Sequence, residues 1–153
     1  MLVESVLAKK GHDVLTISPD ATVYEALVLM AKDNVGCLLV MVEDQIAGIF
    51  SERDYARKLI LKGKTSKETP VSKVMTTQVY VVDKGKTLEE CMALMTAKRV
   101  RHLPVVESNK LIGIISIGDV VKGVIDENEH EIEHLIGHIR GQVIPPENDG
   151  RQR

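Results

Sequence analysis

Hydrophobic positions along the chain follow two different spacings. In some stretches apolar residues recur every three or four positions, as on one face of an amphipathic helix, and in others short runs of Val, Ile and Leu predict strands. The predicted helices are 1–10, 22–33, 51–61, 71–75 and 87–98, and a last helix starts at 116. The predicted strands are 14–17, 37–42, 45–50, 79–82, 102–106 and 110–115. This order predicts an α+β fold in which small sheets pack against helices.

Helix starts and hairpin turns separate these elements. Thr22 and Thr87 each precede a predicted helix and have a Glu three positions later, the pattern of a capping box. Tight turns at Glu43-Asp44 and Ser108-Asn109 join the two predicted hairpins. The helix from Ser116 has no clear stop before Gly141, although a charged stretch interrupts its apolar stripe.

The same order of elements occurs twice. Gly48-Ile49-Phe50-Ser51-Glu52-Arg53-Asp54 and Gly113-Ile114-Ile115-Ser116-Ile117-Gly118-Asp119 share Gly, Ile, Ser and Asp at an offset of 65 residues. That offset holds without a gap from Val14 to Asp119. Two copies of one small unit, each too short to bury a core alone, are expected to pack around a pseudo-twofold axis.

The repeat divides the chain into five parts. We expect the first repeat, with the N-terminal helix, at 1–63, a polar linker at 64–70 and the second repeat at 71–125. A helical extension follows at 126–141, and a mobile tail at 142–153. The short helix 71–75 is interpreted as the counterpart of the N-terminal helix.

Each repeat contains a corner where a strand ends and a helix begins. Ser51 and Ser116 are good N-cap residues, and Asp54 and Asp119 lie in the first turn that follows. Backbone amides and a hydroxyl at such a corner can hold a phosphate, and a carboxylate can accept the hydroxyls of a ribose. The alternative is an ordinary capping box, in which the Asp only caps amides.

The doubled Gly-hydrophobic-x-Ser-x-x-Asp pattern resembles the signature of CBS domains, and the pair resembles a Bateman module. The likeness covers about Val6 to Gly123, and Arg101–Val106 is similar to the family's strand that enters the ligand cleft. Residues 51–58 are similar to small stand-alone CBS-pair proteins of bacteria and plant organelles. The resemblance implies tandem β-α-β-β-α repeats that bind adenosine-containing ligands and regulate an effector protein. AMP is the first choice of ligand, with ATP, ADP, NAD(H) and S-adenosylmethionine as alternatives.

The resemblance also implies a set of nucleotide-binding residues. Thr16, Ile17, Val81 and Val82 lie on the first strands, which line the adenine pocket in the family. Arg99, Arg101 and His102 are expected opposite the Ser116 corner, where they contact phosphate. The full set is Thr16, Ile17, Gly48, Ser51, Arg53, Asp54, Val81, Val82, Arg99, Arg101, His102, Pro104, Gly113, Ser116 and Asp119.

Differences between the repeats predict unequal clefts. Where the second repeat has Arg99, Arg101 and His102, the first has Asn34, Gly36 and Cys37. Arg53, which aligns with Gly118, offsets this difference in part. We therefore expect the cleft served by Arg101 and His102 to bind the more highly charged ligand, or the same ligand more tightly.

Composition argues against several other classes of protein. Aromatic residues make up 3% of the chain, Trp is absent and the net charge is −2, so a nucleic-acid site has little support. No apolar run is long enough to span a membrane, and the N-terminus lacks the apolar segment of a signal peptide. Cys37 and Cys91 are expected to be free thiols in a reducing compartment, here the cytoplasm.

Two further functions remain open at this stage. His130-Glu131-Ile132-Glu133-His134 matches the zinc-protease pattern, with His138 one turn further on, so a metal-dependent hydrolase is an alternative. A ligand-free dimerisation module is another. We expect neither catalysis nor a metal, and an inert Cys37. The apolar stripe of Ile132, Leu135, Ile136 and Ile139 predicts a twofold homodimer.

Overall fold

The computed structural model describes residues 1–139, except the side chains of 130–133 and 139. The tail predicted at 142–153, and positions 140 and 141 of the extension, lie outside the described residues. Within them the chain forms two sheets with flanking helices, and the predicted α+β fold is confirmed.

The first half begins with helix α1, Val3–Lys10, followed by the short strand β1, Thr16–Ile17. Helix α2, Val23–Asp33, starts at a complete capping box of Thr22 and Glu25. Strand β2, Cys37–Val42, pairs parallel to β1 and antiparallel to β3, Gln45–Ser51. Helix α3, Glu52–Asp54, continues into a π-helical turn, Tyr55–Leu59, and a 3₁₀ turn, Ile60–Lys62.

The second half starts with a 3₁₀ turn, Val71–Lys73, and helix α4, Leu88–Lys98. Strands β4, His102–Glu107, and β5, Lys110–Ser116, form an antiparallel hairpin. Helix α5, Ile117–Glu127, and helix α6, Glu129–Ile139, follow. The two hairpins have the same register irregularity, at Val40/Met41 and at Val105/Val106, so the repeat extends to details of strand pairing.

Two local elements differ from their sequence predictions, and the course of the last helix, which the sequence leaves open, is a third point. The strand expected at 79–82 is reduced to one bridge, in which Val82 N–H donates to the Pro104 carbonyl and the Val82 carbonyl accepts from Val106 N–H. The helix expected at 51–61 contains the π turn, whereas its counterpart α5 is regular. The last helix does not run through: Asn128 ends α5, with its side-chain amide donating to the Val124 carbonyl at 3.0 Å.

Each repeat is preceded by a short segment, here called its entry segment: α1 before the first repeat and residues 71–76 before the second. The two hydrophobic cores exchange these entry segments. Val3, Val6 and Leu7 of α1 pack among buried residues of the second repeat, including Leu88 and Leu103. Conversely, Val71 and Val74 pack in the core of the first repeat, with Leu38 and Phe50 among others. Helix α1, which the sequence groups with the first repeat, thus packs on the core of the second. The segment before the first repeat completes the core of the second repeat, and the segment before the second repeat completes the core of the first.

Backbone hydrogen bonds hold this exchange in place. Val3 N–H donates to the Lys86 carbonyl and Leu88 N–H to the Met1 carbonyl. In the other half, Val71 N–H donates to the Ala21 carbonyl. Both entry segments are thus tied to the residues before a core helix, α4 in one case and α2 in the other. Each of the two cores therefore includes a segment that precedes the other repeat.

Candidate functional site

A cavity of about 550 Å³ lies between the Ser51 corner and the second repeat. Its wall combines three segments: the corner with the π turn, the loop after Val71–Lys73, and the end of α4 with the start of β4. The lining residues are Gly36, Ile49, Ser51, Glu52, Arg53, Asp54, Arg57, Lys58, Thr76, Gln78, Val79, Tyr80, Lys98, Arg99, Val100, Arg101 and His102.

The cavity is strongly cationic although the whole chain has a net charge of −2. Six Lys and Arg side chains line it against two carboxylates, which gives a net charge of +4 with His102 neutral. Both repeats contribute, because Arg53, Arg57 and Lys58 come from the first and Lys98, Arg99 and Arg101 from the second. Concentrated charge of one sign in a cleft attracts ligands of the opposite sign, so the cavity favours an anion.

Asp54 lies at the bottom of the corner and is 6% exposed. Its Oδ2 accepts from Ser51 N–H at 2.9 Å and from Ser51 Oγ at 3.1 Å. Its Oδ1 accepts from Thr76 Oγ1 at 2.9 Å and pairs with Lys58 Nζ at 3.0 Å. The carboxylate therefore joins the corner to the loop of the second half, and a ligand hydroxyl reaches it only by replacing one of these donors.

The start of α3 is capped from two directions. Asp54 N–H donates to Ser51 Oγ at 3.2 Å, and Glu52 N–H donates to the Gly36 carbonyl at 3.1 Å. The second corner repeats this arrangement, with Ile117 N–H donating to the Arg101 carbonyl at 2.8 Å. Two amides of each corner are thus already bonded, and the capping-box alternative describes part of the role of Ser51 and Asp54.

The π turn and one aromatic side chain complete the wall. Arg57 and Lys58 lie on the π turn and line the cavity together with Arg53, and π turns are often found at functional sites. Lys98 Nζ lies 5.5 Å from the centre of the Tyr80 ring, within the range of a cation–π contact. Tyr80 therefore offers the cavity a flat apolar surface beside its cations.

The Ser116 corner has a different environment. Lys10 Nζ, from the end of α1, donates to Asp119 Oδ2 at 2.6 Å and to the Ile114 carbonyl at 2.7 Å. Burial opposes ionisation of Asp119, but the ammonium of Lys10 and the hydrogen bonds from Ser116 hold the pKa of this carboxyl below its ordinary value. A protein cation therefore already pairs with the second carboxylate.

Burial shifts the pKa values of His102 and Cys37, the first residues of β4 and β2, in the direction that favours their neutral forms. Burial lowers the pKa of His102, the ammonium of Lys10 lowers it further, Asp119 opposes the shift, and Arg101 adds to it. Burial raises the pKa of the Cys37 thiol to about 12. A thiol this far from ionisation is a poor nucleophile, so the structure supports an inert Cys37.

The structure brings together six of the predicted site residues, namely Ser51, Arg53, Asp54, Arg99, Arg101 and His102. Arg99, Arg101 and His102 line the cavity at the Ser51 corner, where Arg53 adds to the positive charge. The start of their strand also adjoins the Ser116 corner, because His102 pairs with Ser116 and the Arg101 carbonyl accepts from Ile117 N–H. The start of β4 thus adjoins both corners.

The remaining predicted residues lie outside the described wall of this cavity: Thr16, Ile17, Gly48, Val81, Val82, Pro104, Gly113, Ser116 and Asp119. Two of them, Gly48 and Gly113, are glycines at which another segment packs directly against the backbone. A Cβ on Gly48 would lie 2.8 Å from the Thr76 carbonyl oxygen, and one on Gly113 would lie 2.7 Å from Leu7 Cδ2. These glycines allow each entry segment to pack against a strand.

Sequence reasoning missed much of the cavity wall. Arg57 and Lys58 lie in the segment that resembles stand-alone CBS-pair proteins, so that resemblance was an available signal. Tyr80 aligns with Leu15 in the other repeat, and Lys98 with Asp33, so these differences between copies were a second signal. Thr76 lies outside the range in which the copies align, and no local pattern identified it.

The histidine helix contributes no assembled metal centre among the residues that the structure describes. His134 and His138 lie on α6 with their Nε2 atoms 3.0 Å apart, and the side chains of His130 and Glu131 are outside the description. Within the described part of the chain, no group of three or more His, Cys, Asp or Glu side chains is placed to hold a metal ion. The absence of a metal remains a prediction.

A model of the CBS domain matches residues 3–61 and 71–126 of the chain. The chain belongs to the CBS-domain family. It is 39% identical over 149 residues to the mitochondrial CBS domain-containing protein CBSX3 of Arabidopsis thaliana, covering 91% of this chain and 72% of that one. The repeat boundaries predicted from the sequence are not otherwise tested.

Solved CBS-domain structures share the fold. A putative signal-transduction protein with CBS domains from Burkholderia ambifaria is 47% identical, with a TM-score of 0.80 over 82% of this chain and 95% of that chain. The CBS-CP12 protein of bloom-forming cyanobacteria is 26% identical, with a TM-score of 0.72 over 93% of this chain and 90% of that chain, and is described as hexameric. The fold is thus that of CBS-domain signalling modules, and such proteins can form oligomers.

Among the described helices, none is long and apolar enough to cross a membrane. The Arabidopsis relative is named as mitochondrial. A cytoplasmic location, expected from the sequence, is therefore not confirmed.

Proposed function

We propose that the protein is a regulatory CBS module that binds an adenosine nucleotide in the cavity at the Ser51 corner. The observation that carries the proposal is the convergence of Asp54, Tyr80 and six cationic side chains on one cavity of about 550 Å³. A carboxylate suits ribose hydroxyls, an aromatic face suits a base, and Arg suits phosphate. The bound nucleotide then controls a partner protein that this chain does not identify.

The contacts around Asp54 indicate how a ribose enters. Lys58 is the donor most easily replaced, because its side chain is 43% exposed while that of Asp54 is 8% exposed. A ribose hydroxyl that takes the place of Lys58 at Oδ1 keeps the carboxylate satisfied and releases an ammonium toward the phosphates. Ser51 and Thr76 keep the carboxylate in position throughout.

Titration calorimetry with AMP, ADP, ATP, NADH and S-adenosylmethionine tests the proposal, with GMP as a base control. We expect at least one adenosine compound to bind, and expect Asp54→Asn to weaken it by roughly 1.5–3 kcal/mol, the scale of a hydrogen bond to a charged group. If no adenosine compound binds the folded protein, the proposed function is wrong.

We also propose a homodimer. Leu135 is 54% and Ile136 is 43% exposed on α6, and the other two residues of the predicted stripe, Ile132 and Ile139, lie outside the described side chains. Exposed apolar helix faces often mark interfaces. Sedimentation at tens of micromolar, a range in which a standard interface holds its partners, is expected to give a dimer, and a monomer would contradict this.

A further inference from the structure

The cavity offers more cations than one phosphate group can engage. Lys58 is paired with Asp54, and Lys98 lies over Tyr80. The four arginines, Arg53, Arg57, Arg99 and Arg101, have no carboxylate partner among the residues that the structure describes. Each guanidinium presents a fork of donors that fits two phosphate oxygens, whereas a terminal monophosphate has only three free oxygens.

The backbone at Arg99 supports a role for its side chain in binding. Arg99 caps α4 in the left-handed conformation, with φ 55° and ψ 42°. The equivalent cap of α2 is Asn34, with φ 52° and ψ 50°. Asn tolerates this conformation and Arg does so at a cost. Such strain at a cavity wall is typical of a position where the side chain serves a ligand.

The positions that the repeat makes equivalent to the six cations carry no comparable positive charge. The 65-residue offset matches the six cations of the cavity with Gly118, Lys122, Gly123, Asp33, Asn34 and Gly36. Together with Asp119, these positions have one cation and two carboxylates. Lys10 already pairs with Asp119. Phosphate-binding capacity is therefore concentrated at one corner.

We propose that this cavity selects nucleotides by phosphate number, and that it binds an adenosine di- or triphosphate more tightly than AMP. The inference rests on the proposed function, names the ligand class of that same site, and revises the expectation that AMP is the first ligand. Additional phosphate groups engage arginines that AMP leaves unpaired.

The test is titration calorimetry with adenosine, AMP, ADP and ATP in magnesium-free buffer at two salt concentrations. We expect affinity to rise about tenfold or more from AMP to ATP, equivalent to one additional charge-assisted hydrogen bond. The affinity for ATP is expected to fall more steeply with salt than the affinity for AMP. If AMP binds as tightly as ATP, the inference is overturned while the proposed function stands. If none of the four compounds binds, the proposed function itself fails.

Variants locate the effect in the cavity. We expect Arg57→Gln and Arg101→Gln each to reduce the affinity for ATP about tenfold or more and to change that for adenosine little. Both side chains are exposed, and melting temperatures verify that the variants are folded. Lys122→Gln is the matched control, because Lys122 occupies the position of Arg57 in the other repeat and lies outside the described cavity wall. Equal losses for Lys122→Gln and Arg57→Gln would contradict selection by this cavity.

Discussion

The Ser51 and Ser116 corners have the same Ser-x-x-Asp cap but different surroundings. At the first corner the caps lie beneath a cationic cavity that both repeats line. At the second, Lys10 of the exchanged helix α1 pairs with Asp119. The shared Ser and Asp explain why both helices start where they do. The side chains opposite each corner come from another part of the chain and give the two corners different charge.

The largest difference is expected when the two carboxylates are removed. Asp54→Ala removes a buried carboxylate and leaves part-buried donors of Ser51 and Thr76 without their acceptor, so we expect a loss of about 2–3 kcal/mol in the free energy of unfolding. Asp119→Ala, at a more exposed helix start, should cost only about 1 kcal/mol. The sequence-based expectation that both changes affect folding little is thus revised for Asp54. Urea unfolding measures both losses, and equal values would show that the corners are structurally equivalent.

Close packing against the strands is expected to differ next. In Gly48→Ala the new methyl group lies 2.8 Å from a backbone oxygen, that of Thr76, which has little freedom to move. In Gly113→Ala it meets the end of the Leu7 side chain at 2.7 Å, which can rotate. We expect losses of about 2 and about 1 kcal/mol respectively, within the range for overpacked cores. Thermal unfolding with both variants checks the order, and a larger loss for Gly113→Ala would reverse it.

The two helix caps give a reciprocal prediction. Arg99→Asn introduces the residue that the other repeat has at this left-handed position, so we expect stability to rise by up to about 1 kcal/mol. The same change removes a cavity cation and is expected to weaken ATP binding. Asn34→Arg is the matched control, for which stability should fall without loss of ATP affinity. A stability gain with unchanged ATP affinity would remove Arg99 from the site.

The smallest effect concerns His102. Its pKa in the folded chain is lowered by burial and by Lys10 and Arg101, against the opposing effect of Asp119. The unfolded chain therefore takes up the proton first, and stability declines as the pH falls below the ordinary value of 6.5 toward the lower folded pKa. His102→Gln lacks this contribution. Between about pH 7.5 and 5, the urea midpoint of the wild type is expected to fall relative to that of His102→Gln, and parallel curves would contradict the assignment.

Local patterns in the sequence were sufficient for the corners and the fold. The Ser-x-x-Asp caps depend on residues three positions apart, and the 65-residue repeat made the two hairpins predictable. The π turn at Tyr55–Leu59 had no such signal, because residues of this type are equally compatible with a regular helix. The strand predicted at 79–82 was wrong because β propensity does not determine how many residues find a pairing partner.

The exchange of entry segments was not predictable for a different reason. The apolar stripe of Val3, Val6 and Leu7 indicates that a face is buried but not which repeat buries it. Arg99 and Arg101 of the second repeat lie in one cavity with Ser51 of the first. The composition of the cavity therefore depends on contacts between residues far apart in the sequence. The sequence comparison singled out Arg99 and Arg101 at the Ser116 corner and did not foresee that they also line the cavity at the Ser51 corner.

The central claim is that one corner of each chain binds a nucleoside polyphosphate, and the number of ATP molecules bound per chain tests it most directly. Equilibrium dialysis with labelled ATP, at concentrations that saturate the protein, is expected to give one ATP per chain. That binding should be lost in the double variant Arg57→Gln/Arg101→Gln and kept in Lys122→Gln. Two equivalent ATP molecules per chain, or one that survives the double variant, would contradict the account.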